Sequence, residues 1–579
     1  MQHKLQEALE LAVKSLIAKG IISQTFTSSI KIDQPREKKH GDLSTNLALI
    51  CAKPSNQRPM FLAQRIIEAI PNASEIGIFK IAEPGFINVV LKNDTIFESL
   101  TTCMNQGKNF GKSSKYNNRI LVEYVSANPT GPLHVGHGRG AAYGATLVNL
   151  LRSVGNQVCS EYYVNDAGRQ INILSVSVWL KYLENQKVPI TYPASGYQGR
   201  YIDQIAEILF SRKKKSLVPE IANDILTDND SQITPDEIID KWIIKAQSFL
   251  EDNWEDIKSL SLNFILTDIE ADLKDFGASF EKWFSEADLF KNGHIDRVLE
   301  KLLNSGDLYI NSGALWLHST RDGDDKDRVV RRANGETTYF ASDLAYLENK
   351  FERGFEKLIY VWGADHHGYI KRLKSGCEAL GYESKRIEIK LVQFANLIRK
   401  GTRIPMSTRT GDFVTLRSLR EDVGEDACRF FYVMRKPEQH LDFNIDLALS
   451  KTRENPVFYI QYAHARICRI LDLSEQKILD IEIAKKSLQK SGTEVEKEIV
   501  MKIAQYPDLI LSAAESLEPH QICYFLQEIA GKFHKWYDQS KILVSDHEER
   551  AGKVAIAMCV KQIIANGLEI LGVNAPKSM

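Results

Sequence analysis

The sequence predicts a multidomain α/β protein with a parallel sheet in its central domain. Residues 119–125 form a β-rich run that leads through a Pro/Gly turn into a helical pattern. A second strand-like run follows at residues 158–164. A strand, a helix and a strand in this order form the unit from which parallel sheets are built. A chain of 579 residues is also long enough for several domains.

The remaining segments predict two further domains around this unit. Residues 1–110 have the pattern of a small α+β domain that ends in a polar linker. Residues 119–446 form the predicted Rossmann-like domain, in which a charged, helix-rich insertion occupies about residues 168–330. Residues 447–579 have a helical pattern almost throughout, which predicts an all-α C-terminal bundle.

The composition is that of a soluble globular protein. Hydrophobic residues make up 43% of the chain and charged residues 26%, and no apolar run is predicted to span a membrane. The N-terminus mixes Lys and Glu in an amphipathic pattern, unlike a signal peptide. The eight cysteines are scattered without a CxxC pair, so neither structural zinc nor a disulfide framework is predicted. These observations favour a cytoplasmic protein without membrane association.

The turn after the first strand of this unit carries two histidines at a predicted helix start. It reads Asn-Pro-Thr-Gly-Pro-Leu-His-Val-Gly-His and ends with His134 and His137. A helix N-terminus binds phosphate, and Gly136 leaves room for a nucleotide to approach the backbone. The alternative is that both histidines are ordinary polar residues of a first helical turn. A dinucleotide site is disfavoured, because Ala141 occupies the last position of a GxGxxG pattern.

Seven segments of the chain match one known family, in the order in which that family carries them. They lie at residues 40–46, 122–137, 163–168, 338–346, 362–369, 406–411 and 454–466. On these segments the chain resembles the class I aminoacyl-tRNA synthetases, and within them the bacterial arginyl-tRNA synthetases. The resemblance implies an N-terminal domain that contacts the outer corner of the tRNA and a C-terminal bundle that contacts the anticodon.

The implied activity is that of an arginine–tRNA ligase, which works in two steps. L-arginine and ATP give arginyl-adenylate and pyrophosphate, and the arginyl group then passes to the 3′-terminal ribose of tRNA(Arg) with release of AMP. Magnesium would accompany ATP rather than occupy a protein cage. His134 and His137 are the expected catalytic donors to the phosphates. The expected ATP-binding residues are Pro132, His134, Gly136, His137, Gly363, Asp365, His366, Met406 and Ser407.

The second family signature departs from its usual pattern in this chain. Pro405 and Thr408 occupy the positions of the two lysines that hold the β- and γ-phosphates of ATP in the family. Other basic residues are therefore expected to supply this charge. Arg409 and Lys400 are the catalytic candidates, with Arg403 as a third.

The arginine pocket is expected to use carboxylates, because a guanidinium is planar, always charged and rich in donors. The family pattern implies five residues for this pocket: Glu123, Ser126, Asn128, Tyr339 and Asp343. Asp343 and Glu123 are the candidates for the guanidinium or the α-ammonium group, and Asn128 for the α-amino or carboxylate end. Tyr339 is expected in the pocket wall, whereas core packing is preferred for Tyr346.

The adjacent histidines His366 and His367, preceded by Asp365, raise the alternative of a metal site. Adjacent side chains diverge on a strand or a helix, and a metal-binding helix uses His-x₃-His. No third ligand follows in the sequence, so no metal site is predicted. The resemblance instead implies that this segment lies near the ATP adenosine and the amino-acid pocket.

The C-terminal bundle is expected to contact the anticodon, because proteins stack unpaired bases on aromatic rings. Tyr459, Tyr462, His464 and Met579 are the candidate tRNA-binding residues. Most aromatic residues of this region are expected in the core, since apolar residues recur around them at helical spacing. The expected partners are tRNA(Arg), L-arginine and ATP, and the family pattern favours a monomer.

Two other functions compete with this interpretation. A nucleotidylyltransferase also begins a helix with His-x-Gly-His, but it would be much shorter and would lack an anticodon bundle. A tRNA-binding paralogue without catalysis would account for the changed signature lysines. Against the paralogue, both histidines, Glu123 and Asp343 are present. The family commonly requires bound tRNA before it activates arginine, and the same order is expected here.

Overall fold

The computed structural model describes residues 2–25, 30–33, 35, 37–219, 234–404, 414–474 and 480–579. The chain forms two compact units. The terminal unit consists of residues 1–113, 451–570 and 574–579, and the central unit consists of residues 114–450 and 571–573. The predicted N-terminal and C-terminal domains thus belong to one compact unit, and the Rossmann-like domain is the other.

The N-terminal part of the terminal unit is an α+β fold, as predicted. Its helices span Gln2–Ala18, Leu47–Ser55, Pro59–Ala69, Ala73–Ile76 and Asn93–Gln106. Its strands are β1 (Leu43–Thr45), β2 (Gly77–Ala82) and β3 (Phe86–Leu91). They form an antiparallel sheet in the order β1-β3-β2. Ile87, Val89 and Leu91 are buried at alternate positions of β3, as a strand on a core requires.

The C-terminal part of the terminal unit is an all-α bundle, as predicted. Its helices span Pro456–Leu473, Ile481–Ser491, Glu494–Ser516, His520–Gln539 and His547–Leu571. Asn455 caps the first helix by accepting the Val457 N–H, and Pro456 occupies the first helical position. Thr493 and Glu496 form a capping box at the third helix. Local capping chemistry therefore explains where these helices begin.

One helix of the bundle, His547–Leu571, is long and apolar enough to cross a membrane by length and composition, which the sequence analysis did not anticipate. Its most apolar window has a mean hydropathy of 1.6, and 72% of that window is buried inside the protein. A Cβ added at Gly567 would lie 2.8 Å from the Leu526 side chain, so another helix packs closely on it. The helix therefore has the packing of a core helix in a bundle.

The central unit is built on a five-stranded parallel sheet, which confirms the predicted fold class. The strands of the unit are β4 (Arg119–Tyr124), β5 (Gln157–Val164), β6 (Lys282–Ser285), β7 (Leu308–Asn311), β8 (Ala314–Leu317), β9 (Arg328–Arg331), β10 (Lys357–Gly363), β11 (Ile387–Val392), β12 (Ala395–Arg399), β13 (Thr402–Arg403) and β14 (Leu441–Asn444). The main sheet has the order β11-β10-β4-β5-β6, and each of its pairs is parallel. A second sheet joins β7, β8 and β9, and a third has the order β13-β12-β14.

The predicted insertion, at about residues 168–330, is not helical throughout, because strands alternate with helices after Asp275. The helices of the central unit span Val135–Ser153, Arg169–Asn185, Arg200–Lys213, Pro235–Leu250, Asp252–Asp275, Glu286–Lys291, His294–Asn304, Tyr339–Glu352, Ile370–Ala379, Leu416–Val423, Glu425–Val433 and Ile445–Leu449. After Asp275, β6 joins the main sheet and β7 to β9 form their own sheet. Each of these strands has four residues, too few for hydrophobic periodicity to detect.

The main sheet has its topological switch point between β4 and β10. The chain leaves β4 through the helix Val135–Ser153 and enters β5 on one side, whereas β10 pairs with β4 on the other. A Cβ added at Gly144 would lie 2.3 Å from the ring of Tyr124, so this helix packs closely on β4. Ligands of open α/β sheets bind at the carboxyl ends of the strands beside such a point. We therefore expect a ligand site among the residues that follow Tyr124 and Gly363, the last residues of β4 and β10.

Candidate active site

The two histidines of the turn lie together at the start of the helix Val135–Ser153. His134 caps this helix, and its Nδ1 accepts a hydrogen bond from the Gly136 N–H at 3.0 Å. The rings of His134 and His137 are stacked, with centroids 3.7 Å apart. Because Nδ1 of His134 accepts a bond, the neutral ring carries its proton on Nε2 and is a donor there.

The surroundings of both histidines favour their neutral forms. Burial lowers the pKa of His134, and burial together with the neighbouring His134 ring lowers the pKa of His137 to about 3. The Nδ1 atom of His137 is buried and has no hydrogen-bond partner among the described residues. Buried polar atoms are normally satisfied, so this nitrogen is a candidate for contact with a bound molecule. The turn thus offers neutral imidazoles rather than cations.

The segment that follows the second family signature is bound to the histidine turn. The Val135 N–H donates to the Val414 carbonyl at 3.1 Å, and the Leu416 N–H donates to the Leu133 carbonyl at 2.8 Å. Three residues predicted from this signature lie outside the described residues: Met406, Ser407 and Arg409. The chain that follows the signature is therefore held beside His134.

Lys400, the other predicted source of catalytic charge, lies at the turn between β12 and β13. Its φ is 50°, and its backbone N–H donates to the carboxylate of Asp446. Its side chain is exposed. It lines neither of the two cavities that include His134 and His137, nor the adjoining cavity that includes Glu123 and Asp343. The structure therefore does not bring Lys400 together with His134 and His137.

Three adjoining cavities open at the carboxyl ends of β4 and β10. The residues of the acid cavity, of about 320 Å³, include Glu123, Ser126, Tyr339, Asp343, Gly363, His366 and Tyr369. Those of the histidine cavity, of about 380 Å³, include Ser126, Asn128, His134, Gly136, His137, Gly363, Asp365, His366 and Phe394. Those of the turn cavity, of about 550 Å³, include Asn128, Pro132, His134, His137 and Tyr201. All predicted catalytic, ATP-binding and arginine-binding residues that the structure describes line one of these cavities, except Lys400 and the third charge candidate Arg403.

The backbone between the acid and histidine cavities adopts an uncommon conformation. Val125 and Ser126 have φ values of 68° and 42°, in the left-handed region that a β-branched residue rarely enters. The Ser126 hydroxyl accepts the Tyr163 N–H at 3.1 Å, which helps to hold this conformation. Such backbone strain concentrates at functional sites. Here it turns the chain sharply from β4 into the histidine turn.

The predicted acid Glu123 is paired with a lysine that the sequence analysis did not select. The Lys350 ammonium contacts the Glu123 carboxylate and is fully buried. It also lies 3.8 Å from the ring centroid of Tyr346 and 4.1 Å from that of Tyr360. The charge of Glu123 is therefore compensated inside the protein, although its side chain still lines the acid cavity.

Asp343, the second predicted acid, has an environment that favours its protonated form. Burial raises the pKa of Asp343 to about 6, and the nearby Glu123 carboxylate contributes in the same direction. The hydroxyl of Tyr369 donates to the Asp343 carboxylate and partly opposes this shift. A cation that entered the cavity would favour the ionised form. Asp343 is therefore suited to bind a positively charged group.

Glu286 is a third acid of this region, which sequence reasoning missed. It is 4% exposed, and burial together with Asp343 and Asp166 raises its pKa to about 7. The side-chain amide of Asn165 lies 2.8 Å from Glu286 Oε2. Glu286 directly follows β6, at the carboxyl end of a sheet strand. Recognition of that short strand was the signal that would have revealed it.

Two tyrosines of one helix, Tyr339 and Tyr346, differ sharply in their exposure. Tyr339 is 70% exposed and lines the acid cavity. Tyr346 is 5% exposed, and its hydroxyl donates to Glu161 at 2.7 Å. Tyr346 is buried, as preferred from the sequence, and it also lines the acid cavity. Tyr339 at the helix start is instead accessible at the cavity mouth.

The segment after β10 places Asp365 and His366 beside the histidine cavity. His366 Nε2 lies 3.6 Å from the Asp365 carboxylate, and both side chains are exposed. Among the described residues, no group of three or more His, Cys, Asp or Glu side chains could hold a metal ion. The arrangement is therefore that of a polar cavity edge.

The four predicted tRNA-binding residues of the terminal unit have different environments. The Tyr462 ring is 37% exposed and carries the Arg466 guanidinium, 4.6 Å from the ring centroid. Tyr459 is partly buried against His534, at 4.5 Å between ring centroids. His464 is 5% exposed, and its Nδ1 lies 2.8 Å from the Pro576 carbonyl. Met579 is 55% exposed.

Three family models match consecutive parts of the chain. The "Arginyl tRNA synthetase N terminal domain" covers residues 1–91, and "tRNA synthetases class I (R), catalytic domain" covers residues 99–440. The "DALR anticodon binding domain" covers residues 460–579. Together they follow the N-terminal, Rossmann-like and C-terminal parts described above.

Whole proteins with the same organisation are also similar to the chain. Arginine–tRNA ligases of Legionella pneumophila (strain Corby) and Acinetobacter baumannii (strain SDF) are 45% and 44% identical to it, each over 100% of both chains. The solved arginyl-tRNA synthetase of Thermus thermophilus has the same fold, with a TM-score of 0.75, 19% identity and 100% of both chains covered. The chain therefore belongs to the arginyl-tRNA synthetase family of class I aminoacyl-tRNA synthetases.

Proposed function

We propose that the acid cavity binds arginine and the histidine cavity binds ATP, in an enzyme that ligates arginine to tRNA. Arginine–tRNA ligation itself follows from membership of the family. The observation that carries the residue assignment is the pair of cavities at the switch point, which share Ser126, Gly363 and His366. One cavity holds carboxyl groups and the other holds neutral imidazoles at a helix start. A cationic amino acid and a polyphosphate could therefore react across their common edge.

Asp343, which lines the acid cavity, and the neighbouring Glu286, which interacts with Asp343, are proposed to bind the guanidinium. Both carboxyls have raised pKa values, so a bound cation would favour their ionised forms and be held by them. Glu123, already compensated by Lys350, is proposed to fix the shape and charge of the cavity floor. A bound guanidinium can use two carboxylates at once because it presents five donors in one plane.

The arginine carboxylate must reach the common edge of the two cavities, where the first bond forms. Ser126 and Asn128 are proposed to hold the α-amino and carboxylate groups there, because both line the histidine cavity and Ser126 also lines the acid cavity. Tyr339 is proposed to form the outer wall and a hydrogen bond, since it is exposed at the mouth. Arginine would thus lie with its charged end inside the acid cavity.

In the histidine cavity, His134 and His137 are proposed to donate hydrogen bonds to the ATP phosphates. The arginine carboxylate attacks the α-phosphate, and the bond to pyrophosphate breaks. Negative charge on the phosphate oxygens increases in this step, so donors placed beforehand lower its barrier. Neutral imidazoles can act in this way without protonation. Pro132 and Gly136 shape the approach, and Gly363, Asp365 and His366 are proposed to hold the adenosine.

Positive charge for the β- and γ-phosphates is proposed to come from the second signature. Arg409, with Met406 and Ser407 beside it, is the leading candidate, and Lys400 is a weaker one because it lines none of the cavities. The described residues offer no cluster of three metal ligands. Magnesium is therefore proposed to enter on the ATP phosphates and to neutralise part of their charge.

The tRNA is proposed to contact both parts of the terminal unit. Residues 1–110 would contact its outer corner, and residues 447–579 the anticodon, while residues 119–446 carry out the chemistry. Tyr459, Tyr462 and the exposed Met579 are the proposed contacts in the bundle. His464 is proposed to act indirectly, because it is buried and binds the chain end through Pro576. We further propose a cytoplasmic monomer that requires bound tRNA for arginine activation.

The test is attachment of labelled arginine to total bacterial tRNA with ATP and Mg²⁺, with lysine, glutamine and glutamate in parallel. We expect charging by arginine alone. Charging by another of these amino acids would contradict the assignment of the acid cavity. A folded protein that binds tRNA but charges nothing would contradict the catalytic role of the histidine cavity. Omission of tRNA from an ATP–pyrophosphate exchange assay tests the proposed tRNA requirement.

A further inference from the structure

Arg139 is a buried arginine on the helix that carries the two histidines. It lies two residues after His137 and is 1% exposed. Its guanidinium donates to three backbone carbonyls, those of Gln393 at 2.9 Å, Lys436 at 2.8 Å and Gln439 at 2.6 Å. It forms no ion pair with a carboxylate of the described residues. Burial lowers the pKa of Arg139 to about 10, although the Glu438 carboxylate acts in the opposite direction, so the position of this costly buried cation requires an explanation.

The three carbonyls belong to the two chain segments that lead into the third sheet of the central unit. Gln393 connects β11 to β12, and Lys436 and Gln439 precede β14. The Gln393 N–H also donates to the Pro437 carbonyl at 2.9 Å, so the two segments are bound to each other. Arg139 therefore ties the histidine helix to the starts of both β12 and β14. A guanidinium suits this task because its donors form a rigid planar fork.

The residue next to Gln393 forms a wall of the histidine cavity. Phe394 lines this cavity together with Gly136 and His134, and 46% of its side chain is exposed. A Cβ added at Gly136 would lie 3.6 Å from the Phe394 ring, so the ring approaches the helix start. The anchoring of Gln393 by Arg139 thus sets the separation between Phe394 and the histidines.

We infer that Arg139 is a positioning residue for ATP, which sets the width of the histidine cavity by holding Phe394 against the helix start. The inference rests on the proposed function, in which that cavity takes ATP. Arg139 touches no substrate in this role and acts through the Gln393 carbonyl. Small displacements of groups that position a substrate can reduce activity by up to about two orders of magnitude. Loss of the guanidinium should therefore affect ATP more than arginine.

The chain contains a matched control in Arg429. This arginine is also fully buried and donates to three backbone carbonyls, those of Phe276, Gly277 and Leu571, at 2.8 to 3.0 Å. It lines neither the acid cavity nor the histidine cavity. Replacement of either arginine by lysine keeps the charge but loses the planar fork, so a similar loss of stability is expected for both. Only the Arg139 variant should change the kinetics of ATP.

The experiment compares Arg139→Lys, Arg429→Lys and the unaltered enzyme in aminoacylation, with the KM for ATP, the KM for arginine and the Tm measured for each. We expect the KM for ATP to rise about tenfold in Arg139→Lys and the other KM values to stay within about twofold. The same comparison with Phe394→Ala should give a similar rise. The double variant should be no worse than Phe394→Ala, because both changes act through one wall.

An unchanged KM for ATP in Arg139→Lys, or an equal rise in Arg429→Lys, would overturn the inference. If Arg139→Lys does not fold, Phe394→Ala provides the test. An unchanged KM for ATP in Phe394→Ala would show that the ring which Arg139 is inferred to hold does not shape the ATP site, and would overturn the inference. His134→Asn separates this outcome from a failure of the proposed function. An effect of His134→Asn without an effect of Arg139→Lys rejects only the role of Arg139, whereas no effect of either rejects the histidine cavity as the ATP site.

Discussion

Burial raises the pKa of Asp343 in the acid cavity to about 6 and that of the neighbouring Glu286 to about 7, whereas in the histidine cavity burial lowers the pKa of His137 to about 3. The same physical cause therefore favours the neutral form of each group, because low polarity disfavours any charge. The two cavities differ in how a bound ligand affects the charge of their side chains. A cationic ligand would restore the charge of the carboxyls, while an anionic ligand needs only a hydrogen-bond donor from a neutral imidazole.

This contrast explains how two oppositely charged substrates could bind at one sheet edge. Fixed charges of opposite sign at a common edge would attract each other and compete with the substrates. Groups whose surroundings disfavour charge reduce this competition. Glu123 does not follow the pattern, since the Lys350 side chain contacts its carboxylate inside the protein. This contact with Lys350 favours a structural role for Glu123.

The largest expected effect is the loss of arginine binding in Asp343→Asn. The amide has nearly the same shape but cannot carry the negative charge that a bound guanidinium requires. We expect the KM for arginine to rise by about two to three orders of magnitude, since charged hydrogen bonds of this kind contribute several kcal/mol. The KM for ATP should change by less than about threefold. Equal changes in both KM values, measured by aminoacylation, would break the assignment of separate cavities.

In the histidine cavity, the corresponding variant is His137→Ala. It removes a donor to developing phosphate charge, so kcat should fall by about two orders of magnitude while the KM for arginine stays nearly constant. The Tm should change little, because the His137 Nδ1 has no partner among the described residues. Single-turnover adenylate formation measures the effect directly. An unchanged rate would remove His137 from the proposed phosphate site.

The third variant tests whether Glu123 belongs to the substrate site or to the scaffold. Lys350→Met leaves the Glu123 carboxylate buried without its cation, which should destabilise the protein by about 3 kcal/mol. The double variant Glu123→Gln with Lys350→Met should recover much of this loss, because no uncompensated charge remains. Denaturant unfolding gives both free energies. If the stable double variant also keeps its KM for arginine, Glu123 is part of the scaffold alone.

The histidine side of this comparison was accessible from sequence, whereas part of the acid side was not. The two histidines, Glu123 and Asp343 lie within segments of the sequence that match the family. The strand–helix–strand pattern also predicts the parallel sheet that brings these segments together. Glu286 was not predicted as a site residue because β6, which precedes it, has only four residues and lies in a region with a helical sequence pattern. The sequence analysis did not select Lys350, because a lysine in a helical pattern is usually exposed to solvent. Only tertiary packing buries it here.

The C-terminal bundle shows the same limit in another form. Helical periodicity predicted the bundle, and the capping residues Asn455 and Thr493 explain its boundaries. Periodicity could not separate Tyr462, which is exposed, from His464, which is buried two residues later and holds the Pro576 carbonyl. The chain end that covers His464 lies more than a hundred residues away in sequence. Such contacts require the folded structure.

The smallest expected effect is the pH dependence of ligand binding, and it sharpens the comparison most directly. Asp343 and Glu286 have ordinary pKa values of 3.8 and 4.5, and the folded protein raises both. Between the ordinary and the raised values the folded state binds more protons than the unfolded state. The contribution of these groups to stability therefore falls as pH rises through about 4 to 7 and is constant above that range.

Bound arginine should reverse this trend, because it favours the ionised carboxyls and expels their protons. Its affinity should rise by up to about tenfold per pH unit for each proton released, and should level off above about pH 7. The contribution of the two histidines to ATP affinity should vary much less between pH 5.5 and 8. The reason is that the pKa of His137, about 3, lies below this range, so His137 stays neutral throughout it. Thermal shifts with and without each ligand measure both trends, and Glu286→Gln should make the arginine curve shallower. A flat arginine curve would show that neither carboxyl changes its ionisation on binding, and the two cavities would then not differ in the way proposed.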